Sequence, residues 1–274
     1  MKNLLVYLIS FIFGRYSIFG LNLILYKLTL YGIGYNNYLK NKTINGEYKF
    51  ILSYLKKKKP KYCLDIGANT GSYSNILLNN TDAKVIAFEP QKKCNIELKK
   101  IKKKFTKRFK FYNVALGEQS MKMYFNFSKN KSELASTSNY LSKISYIDQK
   151  KFKRKLVKIQ TLDNCLGKLL KKELGSNRID FIKIDTEGFE LEILKGAKKI
   201  FKEFQPKLIQ VELNWHHLFK GHNLWIIYEF LSQLSNYKVY KILPNSNKLI
   251  EIDPSKPEHN LFNYSNYIFK NINV

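Results

Sequence analysis

From Tyr62 onward, short apolar runs alternate with longer stretches whose apolar residues recur every three or four positions. The runs at 62–66, 84–89, 109–115, 179–185, 207–213, 238–243 and 266–270 are of strand length and rich in Ile, Val, Phe and Tyr. The stretches near 72–79, 91–104, 163–172, 190–203 and 223–235 have helical spacing. Pro60 precedes the first strand, Gly188 follows the fourth and Pro206 precedes the fifth, so the punctuation agrees with the periodicity. Such alternation predicts an α/β fold, a doubly wound and mostly parallel seven-stranded sheet.

The alternation breaks in two places. Between 118 and 162, Met121–Phe127 and Lys155–Thr161 alternate residue by residue, and they predict an inserted antiparallel hairpin. The polar stretch 130–142 between them is expected to loop over the sheet edge that carries the site. Residues 1–34 are nearly all apolar but are interrupted by Arg15. A spanning helix needs roughly 20 apolar residues, and a secretory leader needs a small-residue cleavage site that is not evident here. Three placements stay open: a helical hairpin packed on the body, an interfacial membrane helix, or a weak spanning segment. The expected organisation is a helical extension over 1–59 and one α/β domain over 60–274, with the insertion at about 118–162.

Composition changes the picture less than its net charge of +27 suggests. Of 48 basic residues, 44 are Lys and four are Arg, and there are 27 Asn. Lys, Asn and Ile share AT-rich codons, so much of the charge reflects genome composition. Base reading and bidentate phosphate recognition lean on Arg, so the runs Lys56–Lys59 and Lys99–Lys110 read as solvated faces and no nucleic-acid partner is expected. Cys63, Cys94 and Cys165 form no paired motif, which fits a reduced, cytoplasmic setting. The adjacent His216 and His217 point to opposite sides of an extended segment and make no metal site by themselves.

The chemistry concentrates at one turn. Asp65-Ile-Gly-Ala-Asn-Thr-Gly71 ends an apolar strand with an acid and a glycine-punctuated turn, and Glu89 ends the next strand, 24 positions after Asp65. Gly67 and Gly71 permit close approach of backbone to a ligand, and a carboxylate placed like Glu89 accepts hydrogen bonds from ribose hydroxyls. Asn69 stands where a dinucleotide fingerprint has its middle glycine, so no pyrophosphate need approach. A cationic, phosphate-free nucleoside such as S-adenosylmethionine suits the acid. The candidate cofactor residues are Asp65, Gly67, Ala68, Asn69, Gly71, Tyr73, Glu89, Pro90, Asn113 and Ala115.

Five segments now stand in order: Asp65–Gly71, Ala87-Phe-Glu-Pro90, Asn113-Val-Ala-Leu-Gly117, Thr161-Leu-Asp163 and Lys183-Ile-Asp-Thr-Glu-Gly-Phe-Glu190. Over about residues 60–215 the chain resembles the FkbM-type methyltransferase family. The resemblance implies a class I S-adenosylmethionine-dependent (Rossmann-like) fold and O-methylation, often of sugar or polyketide-like hydroxyls. Two departures stand out. Glu89-Pro90-Gln91-Lys92 lacks the family's usual second proline, and Phe189 replaces a small residue at the expected acceptor side.

Methyl transfer from a sulfonium is an in-line displacement that needs the acceptor oxygen held behind the methyl group, and a sugar hydroxyl also needs a base. Asp185 ends the fourth strand, Glu187 follows, and Glu212 ends the fifth strand beside them. Asp185 or Glu187 is expected to be the base or the acceptor-orienting group, with Glu212 and a His as second choices. Glu187 has a plainer alternative, as a cap on the helix after Gly188. Three carboxylates also suit a divalent cation, although no metal is predicted. The expected acceptor is a small molecule or glycan precursor, with peripheral contact to an anionic membrane. A nicotinamide-dependent oxidoreductase and an RNA-modifying or nucleic-acid-binding protein are the alternatives.

Overall fold

The computed structural model describes residues 2–36, 46–128, 135–136, 152–167, 178–246 and 248–274. Its core is an eight-stranded sheet of β1 (Tyr62–Ile66), β2 (Lys84–Phe88), β3 (Phe109–Tyr112), β8 (Phe181–Ile184), β9 (Leu208–Leu213), β10 (Tyr237–Ile242), β11 (Leu249–Ile252) and β12 (Ser265–Asn271). The spatial order is β11-β10-β12-β9-β8-β1-β2-β3. β3, β2, β1, β8 and β9 are parallel, and β12 enters antiparallel between β9 and β10. The central strands are buried on both faces, as the mostly apolar strands of a parallel sheet should be, and the polar residues they carry (Asp65, Lys183, Gln210 and Glu212) are buried with them. Leu64 and Ile66 pack into one core, and Cys63 into the other.

From β1 the chain winds outward to β2 and β3, then returns to β8 on the other side of β1. The crevice at the carboxyl ends of β1 and β8 is therefore the switch point where ligands bind in open α/β sheets. Helices α4 (Ser72–Asn80) and α5 (Asn95–Lys104) cover one side of this half.

Several sequence-predicted elements differ in detail. The sheet has an eighth strand, β11, because Leu249–Ile252 finds its partner only across the edge, where Glu251 accepts from Lys238 (2.8 Å) and Tyr240 (3.0 Å). The segment 109–115 divides: β3 stays in the main sheet, while β4 (Ala115–Leu116) crosses to a second sheet. That sheet contains β5 (Met121–Ser128) paired antiparallel with β7 (Phe152–Gln160), and β6 (Ala135–Ser136) on the far side of β5. Apart from β6, the 130–142 loop lies outside the described residues, and the helix expected at 163–172 is described only as far as 167. The helix expected over 190–203 is two, α6 (Glu190–Lys195) and α7 (Lys198–Phe204). Gly196 separates them against Gly117, whose carbonyl would lie 2.0 Å from a Cβ at 196, and Asp163 caps the second helix through the Lys199 and Ile200 N–H groups.

At the N-terminus, α1 (Lys2–Phe13) and α2 (Phe19–Gly32) meet at 76°. They do not form a hairpin packed on the body, since nearly all their large apolar side chains are exposed. No single helix among the described residues is long and apolar enough to cross a membrane. After α2 the chain is sewn to the sheet: Tyr35 is fully buried, the Asn36 N–H donates to the Tyr264 carbonyl (2.8 Å), and the Ser265 hydroxyl donates to the Gly34 carbonyl (3.0 Å). A short helix, α3 (Glu47–Lys49), continues as a helical turn over Phe50–Leu55 that packs on β1's side of the core.

Candidate active site

The turn after β1 is built from positive dihedrals at Gly67 (φ 84°), Asn69 (φ 50°) and Gly71 (φ 79°). Gly67 lies so close to β8 that a Cβ there would sit 1.7 Å from the Asp185 carbonyl oxygen. The Gly67 and Ala68 N–H groups both donate to the Phe88 carbonyl at 3.0 Å, tying the turn to the end of β2. Glu89, 4% exposed, clasps the same turn. One carboxylate oxygen accepts from the Asn69 N–H (2.9 Å) and the other from the Gln91 N–H (2.7 Å). Burial pushes Glu89 up to about 7 despite these two N–H groups. Asn113 donates to the Glu89 carbonyl (2.7 Å), so three of the sequence's segments meet at one point.

Asp65 is wholly buried on the same edge. Ser74 donates to one of its oxygens (2.5 Å), and the other has no hydrogen-bond partner among the described residues. Burial raises its pKa, with Lys183 and Ser74 partly offsetting that. Tyr73 faces behind the turn, donating to Gln210 (2.6 Å) and stacking on Phe181. Pro90 continues the clasp into Gln91. Ala115 does not join the group, because it packs with Phe125, Phe127 and Ile159 in the core of the second sheet.

Across the crevice, Asp185, Glu187 and Glu212 bring carboxylate oxygens within 4.8 Å of one another. The Lys183 ammonium sits 2.6 Å from Asp185. Burial opposes the charge on Lys183, but Asp185, Glu47, Glu212 and Asp65 outweigh it and hold the lysine protonated beyond its usual range. Glu187 has a left-handed backbone (φ 56°), followed by Gly188 at φ 98°. Its carboxylate accepts from Asn214 (2.8 Å) and lies 3.3 Å from His216 Nε2. It therefore does not cap the following helix; the Thr186 N–H there is taken by Glu190 (2.7 Å). Burial and then the Asp185 charge push both Glu187 and Glu212 well above the usual carboxylate range.

The two histidines have separate acids. His217 Nε2 is 2.7 Å from Glu190 in a fully buried pair; burial alone would raise Glu190, but His217 and the backbone donors bring it down to about 2. His216 stays neutral, lowered to about 4 by burial, with Trp215 stacked on it at 3.9 Å.

With this geometry in place, the comparison with known families is direct: the profile of the methyltransferase FkbM domain matches residues 65–242. The chain belongs to the FkbM methyltransferase family. It is an S-adenosylmethionine-dependent methyltransferase of the class I fold, and the nicotinamide-dependent alternative is set aside. No curated protein matches the chain in sequence. Among solved structures, the O-methyltransferase TomG from Streptomyces achromogenes, in complex with SAM, is 10% identical with a TM-score of 0.43, covering 83% of this chain and 79% of that one. The precorrin-6y C5,15-methyltransferase from Geobacter metallireducens is 14% identical with a TM-score of 0.39, covering 84% and 92%. An rRNA methylase from Streptococcus thermophilus is 8% identical with a TM-score of 0.40, covering 82% and 93%.

Sequence reasoning missed the polar groups behind the enzyme's carboxylates. Gln210 donates to Glu47 (2.7 Å) and Asn266 (2.7 Å), and the Tyr264 phenol hydrogen-bonds to Glu212. Glu47 and Tyr264 are remote in sequence and carry no local signal. Lys183 was legible, since a lysine two residues before a strand-end acid shares its face.

Proposed function

We propose that the enzyme transfers the methyl group to a hydroxyl of a sugar or glycan precursor, with the Asp185–Glu187–Glu212 cluster as its proton acceptor and acceptor-orienting group. The observation that carries this reading is the convergence of these three carboxylates, within 4.8 Å of one another, on the edge that carries Asp65 and Glu89. S-adenosylmethionine supplies an electrophilic methyl on a sulfonium. The residues present suit that cation: five acids face the crevice against one lysine, and one buried Asp65 oxygen is unpartnered among the described residues. Asp65 and the Gly67–Gly71 turn would hold the cofactor's charged and backbone-facing parts, and Glu89 its ribose hydroxyls.

Lys183 fixes Asp185, so Asp185 orients an acceptor hydroxyl. Glu187 is the better base. Its burial makes the proton cheap to hold, and added positive charge in the crevice restores its ionised form before reaction. Asn214 holds its carboxylate in place, with His216 Nε2 3.3 Å away. Vicinal hydroxyls match paired carboxylates, and Trp215, stacked on His216, stands beside the cluster.

The test pairs Asp185→Asn with Glu187→Gln. Both should bind S-adenosylmethionine in calorimetry, while at least one loses about 10²–10⁴-fold in turnover on a methyl acceptor. The acceptor is found by mass spectrometry of cell-surface glycans from a deletion strain, as a missing methyl increment. Near wild-type turnover in both variants would move the base to Glu212.

A further inference from the structure

Residues 2–33 take no part in the chemistry above, yet they hold the largest apolar surface described. Leu5 (59% exposed), Ile9 (49%) and Phe11 (58%) on α1, and Ile24 (56%) and Leu28 (59%) on α2, all stand open to the surroundings. A helix that docks on a protein is apolar along one stripe; one apolar on every side belongs in an apolar medium. Basic residues recur at Lys2, Arg15 and Lys27, so no uncharged stretch between them exceeds 12 residues. That is about 18 Å of helix, well short of the roughly 30 Å hydrocarbon core. The 76° bend follows Phe13, and the exposed Arg15 sits in it, positioned for a side chain that reaches headgroups from a segment lying in one leaflet. The chain's net charge of +27 complements an anionic lipid surface, which singles out a bilayer over a second copy of this equally basic chain.

The attachment point adds direction. Gly34 and Asn36 are sewn to Ser265 and Tyr264. Ser265 pairs with Leu213 at the carboxyl end of β9, and the Tyr264 phenol hydrogen-bonds to Glu212. The apolar helices therefore join the body at the sheet edge that carries the carboxylate cluster.

We propose that residues 2–33 embed in the surface of an anionic lipid bilayer and hold this edge of the sheet against it, so that the acceptor is presented from the membrane. The acceptor clause rests on the function proposed above; the embedding does not.

Flotation of the full-length chain tests it, with phosphatidylcholine vesicles and with vesicles containing phosphatidylglycerol. The wild type should float with the anionic vesicles and more weakly with the neutral ones. The double variants Leu5→Asp/Ile9→Asp and Ile24→Asp/Leu28→Asp should bind at least about tenfold less while keeping S-adenosylmethionine affinity, because these residues are exposed and stand outside the cofactor crevice. In Trp225→Phe, Trp215 is the remaining tryptophan, and brominated lipid should quench it. Wild-type protein that stays at the bottom of the gradient overturns the proposal. So do aspartate variants that float as well as wild type, or a native chain whose intact mass lacks these residues. Flotation without quenching of Trp215 overturns the orientation. Flotation of a chain that fails to bind cofactor supports the membrane surface and counts against the site assignments instead.

Discussion

Replacing Glu89 by Gln keeps the size of the side chain and exchanges one acceptor oxygen for an amide donor. In the structure, both oxygens of Glu89 accept a backbone N–H, from Asn69 at 2.9 Å and from Gln91 at 2.7 Å. Gln can serve one of them, and the other is left facing a donor, at a cost of about 1–3 kcal/mol. The pH dependence makes the test sharp. Burial brings Glu89 up to about 7, so at pH 6 it is mostly the neutral acid, with the same one-donor, one-acceptor pattern as Gln. At pH 8 it is mostly the carboxylate, whose hydrogen bonds to ribose hydroxyls are charge-assisted and worth roughly 1.5–3 kcal/mol. Wild type should therefore bind S-adenosylmethionine about 10- to 100-fold tighter than Glu89→Gln at pH 8, and only about 2- to 10-fold tighter at pH 6, where about a tenth of the wild-type carboxyl is ionised. Ligand donors favour the ionised form, so wild-type affinity rises with pH through about 7, and binding below that pH releases protons. Folding runs the other way. The native acid holds its proton more tightly than the unfolded chain, whose value is 4.5, so its contribution to stability falls by up to about 3 kcal/mol as pH rises from 4.5 through about 7. Calorimetry at both pH values, in buffers of different protonation enthalpy, reads affinity and proton release together. A wild-type-to-variant gap that is the same at pH 6 and pH 8 would refute the ribose role and leave Glu89 as a clasp for the turn alone.

Two further substitutions probe the frame of the site. Lys183→Met removes the cation that Asp185, Glu212, Glu47 and Asp65 share, and should cost about 3–5 kcal/mol in denaturant unfolding, because the remaining acids stay buried without it; an unchanged midpoint would show that the acids are neutral in its absence. Gly67→Ala should abolish soluble folding or cofactor binding, since its Cβ would meet the Asp185 carbonyl at 1.7 Å, whereas Gly71→Ala meets the movable ends of Ile101 and Leu98 at 2.5 and 2.8 Å. Both glycines have positive φ, so comparing the two melting curves isolates the clash, and equal losses would contradict it.

The sequence alone placed the central strands because a parallel strand buried on both faces is mostly apolar, as in Leu64–Ile66, Phe181–Ile184 and Leu208–Leu213, where Asp65, Lys183, Gln210 and Glu212 are the exceptions. The glycine turn and the acids at strand ends were equally legible, because the chemistry of a turn is local: Gly67, Asn69 and Gly71 each adopt the positive φ that their residue types suggest. What tertiary structure decided is everything set by partners distant along the chain. Leu249–Ile252 becomes a strand only beside β10, and the helix at 190–203 breaks only because Gly196 meets Gly117. His216 and His217, adjacent in sequence, are assigned to Glu187 and Glu190 by packing across the sheet edge. The apolar N-terminus had three readings by composition, and contact with the body decided against a packed hairpin: nearly all its side chains stay exposed while Leu30 and Tyr35 are drawn into the core. Local periodicity encodes which residues want burial, but the burial itself, and with it the ionisation of Glu89, Glu187 and Glu212, exists only once distant segments have met.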